Sequence, residues 1–418
     1  MDRSVDVFGG SFAIAVRVHG TPADEPLPPG AARIIAFPGA GDNSGSFDSL
    51  APLLTAEAPR HCLVAVDPPG CGHSDHRPAY DYYNDFEDCA LTIEIADALG
   101  WPAHEPLVVL GHSRGGNIAA TAAGAFADRI NGALLLETNL GLNGVFITNI
   151  GQPQPPTVAA MVKSDARRRK RQRSSASREL SELVEKSMDF VRADGGHYSK
   201  SRETATAILR RGTEPHPDGG GVRHRGDPRA SGVQCMTMDE ASQQAYFRAI
   251  RCPSLLVISD TFVQHYHHHK QNPHYQLFMD RVEERRAAFG TSLEVVSLPG
   301  VSGHHHHSDQ PQRTAEVLLP FLAKLVAQHS PPAPAPAPAP ARAGGSEARA
   351  AREVAVAEAI PLVQAHIDAQ ASAQPHADRR LRGRDGVLST YGGALRIATR
   401  SWGDETASSS SRILAYPG

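Results

Sequence analysis

The stretch Leu107-Val108-Val109-Leu110-Gly111-His112-Ser113-Arg114-Gly115-Gly116 decides the fold class of this chain. Its four apolar residues predict a buried strand, the motif G-x-S-x-G follows at once, and the small residues of 117–127 predict a helix. Glycine at positions 111 and 115 leaves out the Cβ atoms that would collide in so tight a strand-to-helix turn. The pattern predicts that Ser113 stands above the sheet at a helix N-terminus, where it can act as a nucleophile and where the helix dipole favours developing negative charge.

A second segment that could carry chemistry lies near residue 300. Residues 292–298 alternate like a strand, a loop with four consecutive histidines at 304–307 follows, and apolar residues at helical spacing predict a helix over 312–326. Pro320 inside that helix predicts a kink. A histidine in a strand-to-helix loop, late in the chain, is where the general base that activates such a serine is expected. The four histidines leave open which one acts.

Two further motifs precede the serine turn. Residues 37–48 are Phe-Pro-Gly-Ala-Gly-Asp-Asn-Ser-Gly-Ser-Phe-Asp, and residues 67–74 are Asp-Pro-Pro-Gly-Cys-Gly-His-Ser. With the serine turn and the late histidine loop, they make the chain resemble the α/β-hydrolase superfamily, and most closely the serine hydrolase-like proteins, over residues 10–327. The resemblance implies an α/β fold with a mostly parallel sheet, helices on both faces and a helical cap insertion. In that family the catalytic histidine stands seven residues before a proline, which implies His304.

The acid that orients the histidine has two candidates. In many members of the superfamily it follows the strand after the cap, in a G-x-x-D turn; here the strand 254–258 is followed by Asp260 without such a turn. The other place is the end of the strand after the serine helix, where residues 133–136 lead directly to Glu137. The serine hydrolase-like proteins carry an acid at this place. The resemblance therefore favours Glu137, with Asp260 as the alternative.

The oxyanion hole is expected to consist of two backbone N–H groups. One follows the nucleophile, at Arg114, and the other comes from the loop after the third strand, at Ala40. The family usually has His-Gly before the second position, whereas this chain has Pro38-Gly39. In the family that histidine mainly holds the loop in place. Pro38 in its position is therefore expected to affect the reaction rate rather than the fold.

Composition restricts the function classes. The net charge of −3 argues against a general nucleic-acid binder, and no apolar run is long enough to span a membrane. Five cysteines without a C-x-x-C pair are typical of free thiols in a reducing compartment. The N-terminus has no basic segment followed by an apolar one, so we expect a cytoplasmic protein. We expect a small-molecule acyl substrate and no cofactor.

The chain divides into segments of different composition. We expect residues 1–140 and 251–329 to form the two parts of the hydrolase core, and residues 141–250 to form the helical cap. Residues 330–346 are a Pro/Ala-rich linker, for which polyproline II structure is expected. Residues 347–418 are expected to be the truncated start of a second hydrolase-like copy.

That second copy is suggested by an internal repeat. Residues 392–403, G-G-A-L-R-I-A-T-R-S-W-G, parallel residues 9–20, and residues 412–418, R-I-L-A-Y-P-G, parallel residues 33–39. The second copy ends before any serine turn, acid or histidine. Our hypothesis is that the chain is a fragment of a tandem hydrolase with a second hydrolase-like domain in cis; a coincidental hairpin is the alternative.

Two charged or metal-binding patterns have simpler explanations. The basic run 167–173 could bind a polyanion, but such a run is more often a solvated helix face. The histidines at 265 and 267–269, together with the later run, could suggest zinc. Both clusters lie in predicted loops, and the chain has neither a His-Glu-x-x-His helix nor paired cysteines. We expect no metal site.

The residues point to one reaction and leave one alternative. Ser113 would attack an acyl carbon, His304 would take its proton, and Glu137 would orient the imidazole. Water would then release the acyl group. The alternative is a catalytically silent α/β-hydrolase fold that serves as a binding or scaffold protein, because a fold does not guarantee an activity.

Overall fold

The computed structural model of the chain describes residues 1–56, 60–78, 83–140, 178–193, 200–230, 240–260, 275–301 and 303–329, together with three strands between residues 385 and 417. The chain forms two compact units, Met1–Ser330 and Pro331–Gly418. The basic run 167–173, the histidines at 265–269 and the linker 330–346 lie outside the described residues.

The first unit is built on a sheet of eight strands in the order β1-β2-β4-β3-β5-β6-β9-β10. The pairs β1/β2 and β2/β4 are antiparallel, and the other pairs are parallel. The strands of the sheet are β1 Asp2–Val7, β2 Phe12–Gly20, β3 Arg33–Phe37, β4 Cys62–Val66, β5 Leu107–His112, β6 Gly132–Leu136, β9 Ser254–Ser259 and β10 Leu293–Leu298. A separate hairpin consists of β7 Thr213–Pro215 and β8 Val222–His224. The predicted mostly parallel sheet is confirmed.

Helices cover both faces of this sheet. The described helices of this unit are α1 Ala51–Thr55, α2 Asp85–Ala98, α3 Arg114–Ala125, α4 Leu180–Ala193, α5 Arg202–Arg211, α6 Glu240–Ala249, α7 Tyr275–Ala288, α8 His306–Asp309 and α9 Pro311–His329, with short 3-10 helices at Ser44–Phe47 and Gly290–Ser292. Among these described helices, none is both long enough and apolar enough to cross a bilayer. Helix α9 extends through Pro320 and is longer than the predicted 312–326.

The alternation of side chains along the central strands explains the two helical layers. On β3, Ile35 and Phe37 face a cluster formed with α2, α3 and α6, whereas Ile34 and Ala36 face a cluster formed with α1 and α9. Successive side chains on a strand point to opposite faces, so a strand buried on both sides must be apolar throughout. All five residues of β3 are buried. The continuous apolar runs in the sequence are therefore a direct consequence of helices on both faces.

The serine turn has the predicted strand-turn-helix form. Strand β5 ends at His112, Ser113 has the positive φ of 54°, and α3 begins at Arg114. A Cβ on Gly111 would overlap the carbonyl oxygen of Gly115, and a Cβ on Gly115 would overlap that of Phe37. The helix begins three residues earlier than its predicted start at 117, because the close approach of Gly115 to Phe37 and Pro38 holds the first turn in place despite the low helix propensity of glycine.

Replacing Gly115 by alanine is expected to destabilise the protein, although alanine is the better helix former. Intrinsic propensity favours alanine by about 1 kcal/mol. The added Cβ meets backbone atoms of Phe37 and Pro38, which cannot rotate away, and overpacking of this kind costs about 2–3 kcal/mol. We expect a lower free energy of unfolding in urea for Gly115→Ala.

Gly226→Ala is the matched control, since a Cβ there would make only an ordinary contact, 3.4 Å from the carbonyl oxygen of Gly70. Equal stability of the Gly115→Ala protein and the wild type would show that the loop after β3 does not hold the serine turn.

The chain between β6 and β9 is the insertion for which a cap is expected. Helix α5 contacts the core at the short 3-10 helix after β3, where Asn43 Nδ2 donates to the Ile208 carbonyl over 2.9 Å. Helix α6 instead packs on α3: Phe247 is buried in the core, and Gln243 Nε2 donates to Thr121 Oγ1 over 3.2 Å. Residues 240–249, at the end of the predicted cap segment, thus form part of the helical layer on the sheet. The cap itself remains a prediction.

The C-terminal unit repeats the register of the first hairpin. Strands β11 Asp385–Thr390, β12 Leu395–Arg400 and β13 Arg412–Pro417 form an antiparallel sheet in that order. Asp385 pairs with Arg400 as Asp2 pairs with Arg17, at the same offset in both copies. Strand β13, the counterpart of β3, pairs directly with β12, whereas in the first copy β4 lies between β2 and β3. The register favours the proposed duplication.

Candidate active site

Ser113 is held on the sharp turn by backbone hydrogen bonds. Its N–H donates to the Leu136 carbonyl over 2.8 Å, and its own carbonyl accepts from Gly116 and Asn117 at the start of α3. A positive φ in a residue other than glycine costs about 1–2 kcal/mol, and such strain persists only where the surroundings impose it. The side chain is partly exposed at the carboxyl end of β5. This backbone geometry is that of a nucleophile presented above the sheet.

The two backbone amides predicted for the oxyanion hole lie on elements in contact. Gly115, the residue after Arg114, touches the carbonyl groups of Phe37 and Pro38, which lead to Ala40. Within the described part of the chain, neither the Ala40 N–H nor the Arg114 N–H donates a hydrogen bond to another group. Both amides are therefore available to an anionic oxygen.

The Arg114 side chain has a separate role that its neighbours in the sequence do not indicate. Its Nε donates to Asp85 Oδ1 over 2.7 Å, and its Nη2 donates to Asp88 Oδ2 over 2.5 Å, both at the start of α2. These two carboxylates raise the pKa of Arg114 against the effect of its burial. The ion pairs fix the first turn of α3, and with it the Arg114 amide, against α2.

His304 and Glu137 lie beside each other. His304 Nδ1 is 4.0 Å from Glu137 Oε2, and the two side chains are 10% and 1% exposed. Glu137 directly follows β6, has a φ of 47°, and its backbone N–H donates to the Val257 carbonyl over 3.0 Å. Its Oε1 accepts a hydrogen bond from the Ser259 N–H. The carboxylate thus faces the imidazole from the end of the neighbouring strand, and the contact is longer than a hydrogen bond.

Asp260, the alternative acid, has partners at the end of β10. Its Oδ1 accepts from Ser297 Oγ over 3.2 Å and its Oδ2 from the Gly300 N–H over 2.5 Å. The residue is exposed, and in the described part of the chain its hydrogen bonds are those of a turn carboxylate. The structure brings Glu137, rather than Asp260, to His304.

The remaining histidines of the run have partners of their own. His306 Nδ1 lies 2.9 Å from Thr314 Oγ1, and its Nε2 lies 3.9 Å from Glu137 Oε1, so Glu137 faces both His304 and His306. His307 Nε2 lies 2.9 Å from Ser46 Oγ. Burial lowers the pKa of His306 to about 4 and that of His307 well below the ordinary value, so both rings are neutral. His305 Nε2 lies 3.5 Å from Asp42 Oδ2. His304 is the partly exposed member of the run, which agrees with the histidine that the family spacing implies.

Burial also determines the charge of Glu137. It raises the pKa of this carboxyl from 4.5 to about 8, while hydrogen bonds from Ser259 act in the opposite direction. Because a buried carboxylate is poorly solvated, a neighbouring positive charge stabilises its ionised form strongly. The imidazolium that forms when His304 accepts a proton would be such a neighbour.

Three groups near the site were not identified from the sequence: His112, Asp42 and Lys200. His112 Nε2 lies 2.8 Å from the His304 carbonyl oxygen, and the two rings are 4.7 Å apart. Lys200 Nζ lies 3.3 Å from Asp42 Oδ1. The position of His112 beside Ser113 was the available signal, because a polar residue ending a buried strand at a site is a candidate for function. No pattern in the sequence around Lys200 indicated a place near the site, because this residue belongs to the insertion between β6 and β9.

Comparisons with known proteins agree with this architecture. A family model described as alpha/beta hydrolase fold matches residues 32–172. A serine hydrolase-like protein of Mus musculus is 26% identical over 321 residues, which are 75% of this chain and 93% of that protein. A serine hydrolase-like protein of Dictyostelium discoideum is 23% identical over 292 residues, which are 69% of this chain and 74% of that protein.

Solved structures share the fold. A hypothetical protein from Pseudomonas aeruginosa PAO1 superposes with a TM-score of 0.55 at 24% identity, covering 78% of this chain and 99% of its own. The thioesterase domain from the curacin biosynthetic pathway has the same TM-score of 0.55 at 18% identity, covering 77% of this chain and 98% of its own. At 24% and 18% sequence identity, these two matches show a shared fold.

Proposed function

The chain belongs to the α/β-hydrolase superfamily, and we propose that it is a serine hydrolase that cleaves an ester or related acyl bond of a small molecule. The observation that carries this proposal is the strained Ser113 at the end of β5, with His304 and Glu137 in contact at the same edge of the sheet. In open α/β sheets, ligands bind outside the carboxyl ends of the strands.

The roles follow from which atoms face each other. Glu137 faces Nδ1 of His304, so Nε2 of that ring is the nitrogen available to Ser113. Ser113 Oγ would form a bond to the acyl carbon as its proton passes to His304 Nε2. The amides of Ala40 and Arg114 would hold the resulting oxyanion. His304 would then return the proton to the departing alcohol, leaving an acyl group on Ser113.

The second half of the reaction uses the same groups. A water molecule would give a proton to His304 and attack the acyl carbon, and Ser113 would leave as the protonated alcohol. A serine nucleophile favours acyl chemistry over the reactions of those members of this fold that carry a carboxylate at the same turn. The identity of the acyl group depends on the insertion between β6 and β9, where we expect the cap.

Labelling with a fluorophosphonate probe tests the proposal. Such a probe reacts with a serine only when a neighbouring base activates it. We expect the whole wild-type chain to take up one probe molecule, with the adduct located by peptide mass spectrometry on Ser113. A folded chain that remains unlabelled under conditions that label a known serine hydrolase would overturn the proposal and favour the catalytically silent binding protein.

The raised pKa of Glu137 predicts a pH dependence of stability. The folded protein holds this proton up to a pH of about 8, whereas the unfolded chain releases it near 4.5, so the folded state binds more protons between these values. The stabilisation is complete below pH 4.5 and is lost as the pH rises through 8. We expect the free energy of unfolding of the wild type, relative to Glu137→Gln, to decrease by about 1 kcal/mol per pH unit in this window.

Urea unfolding of both proteins at pH 5, 6, 7 and 8 measures this difference. The comparison with Glu137→Gln removes the opposing contribution of buried histidines, whose lowered pKa makes stability rise with pH in the acidic range. Parallel pH dependences for the two proteins would mean that the folded state does not raise the pKa of this carboxyl.

A further inference from the structure

Three buried side chains that the proposed reaction does not use converge beside Ser113. Asp42, His112 and His305 each offer one donor atom, and these atoms all lie within 4.8 Å of one another. The three residues are 8%, 0% and 6% exposed. We propose that they form a binding site for a divalent transition-metal ion, with Zn²⁺ as the expected ion.

His112 already has the arrangement of a metal ligand. Its Nε2 lies 2.8 Å from the His304 carbonyl oxygen, which only accepts hydrogen bonds, so Nε2 carries the proton and Nδ1 keeps its lone pair. Histidines that bind metals commonly donate their second N–H to a carbonyl or carboxylate in this way. Within the described part of the chain, the buried Nδ1 has no hydrogen-bond partner. A buried acceptor without a partner is unfavourable, and a metal ion would satisfy it.

The other two donors are spaced for a shared ion. Asp42 Oδ2 and His305 Nε2 are 3.5 Å apart. Two ligands bound to one Zn²⁺ in tetrahedral geometry are separated by roughly 3.3 Å, since each bond is about 2.0–2.1 Å long. The second oxygen of Asp42, Oδ1, faces Lys200 Nζ at 3.3 Å, which leaves Oδ2 on the side of the histidine. Two imidazoles and one carboxylate suit zinc and related ions, and leave a coordination position for water.

An ion pair between Asp42 and a protonated His305 would explain part of this cluster. It accounts for the 3.5 Å contact, but it leaves Nδ1 of His112 buried without a partner. Lys200 already supplies a positive charge to the same carboxylate. An occupant between the three donors would use the His112 lone pair, which the ion pair leaves unused.

From the sequence we expected no metal site, because the histidine runs lie in predicted loops. The fold instead combines one residue of the late run with His112 and Asp42, which lie far from it in the chain. A bound ion would join the serine turn to the histidine loop, since His112 precedes Ser113 and His305 follows His304. If the proposed function holds, Zn²⁺ should inhibit hydrolysis and a chelator should restore it, because the ion restrains both reacting residues.

Calorimetric titration of the metal-free whole chain with Zn²⁺ tests the site independently of activity. We expect a tight site with one ion per chain, weakened at least about 100-fold in His112→Phe and in Asp42→Asn. Thermal unfolding without metal shows whether each variant is folded. If one of the two is not folded, His305→Gln is used in its place. Lys200→Met is expected to tighten binding, because a cation next to the site disappears.

Adventitious binding needs its own control. A variant with glutamine at 265, 267, 268 and 269 removes the other histidine cluster, and it should keep the tight site. Visible absorption of bound Co²⁺ provides a second readout of nitrogen and oxygen ligands, which His112→Phe should change. Zn²⁺ binding of the same affinity in folded wild type and His112→Phe, or the absence of a tight site in the wild type, would overturn the proposal.

Discussion

Replacing Ser113 by alanine is expected to abolish fluorophosphonate labelling and to lower kcat for ester hydrolysis by about 10⁴–10⁶-fold. The loss is large because without the hydroxyl no acyl-enzyme can form, and His304 and Glu137 then have no nucleophile to activate. Alanine keeps the Cβ, so the positive φ of 54° and the backbone hydrogen bonds of the turn should persist. Labelling intensity and hydrolysis of a panel of acyl esters measure the effect.

Ser292→Ala is the matched control, since Ser292 precedes β10 at the opposite edge of the sheet and its Oγ donates to the Phe289 carbonyl over 2.7 Å. It should keep full labelling. Ser113→Gly should be equally inactive yet more stable than wild type by about 1 kcal/mol, because glycine adopts a positive φ without strain. Hydrolysis that survives in Ser113→Ala would assign the activity to another residue.

Replacing Glu137 by glutamine is expected to lower kcat by on the order of 10³–10⁴-fold. The amide is close in shape to the carboxyl, but it carries no charge to stabilise the imidazolium that forms on His304, whose Nδ1 lies 4.0 Å from Glu137 Oε2. Labelling by the fluorophosphonate should slow by a similar factor, because the same proton transfer activates Ser113.

Asp260→Asn distinguishes the two candidate acids. Its carboxylate accepts from Ser297 and Gly300 at the end of β10, so the substitution should change kcat less than about twofold. A large loss in Asp260→Asn together with a small one in Glu137→Gln would transfer the role of the acid to Asp260. His304→Ala should match Ser113→Ala, which would place all three residues in one catalytic unit.

Local patterns in the sequence predicted the elements of the core correctly. Strands β5, β6 and β9 differ from the expected bounds by at most two residues. These strands are buried on both faces, so their apolar runs are continuous and easily recognised. Helix starts were less accurate: α3 begins at Arg114 instead of 117, because a tertiary contact rather than intrinsic propensity holds its first turn.

The site was predictable only in part. Ser113 was indicated by its own neighbours, because a strand, two glycines and a helix surround it within ten residues. His304 and Glu137 were indicated by resemblance to the family, and their contact depends on β6 and the loop after β10 lying at the same edge of the sheet. The partners of the neighbouring histidines, such as Ser46 for His307, follow from packing across 261 positions of the chain.

The sequence by itself determined the fold class, the serine turn and the presence of a repeated strand-loop-strand segment near the C-terminus. These features depend on residues close together in the chain, where periodicity and turn chemistry act directly. Only the tertiary structure decided which carboxylate faces His304 and that Asp42, His112 and His305 meet. The physical reason is the strand order: β5 lies next to β3 and β6, and the loops at their carboxyl ends approach one another only when the sheet has formed.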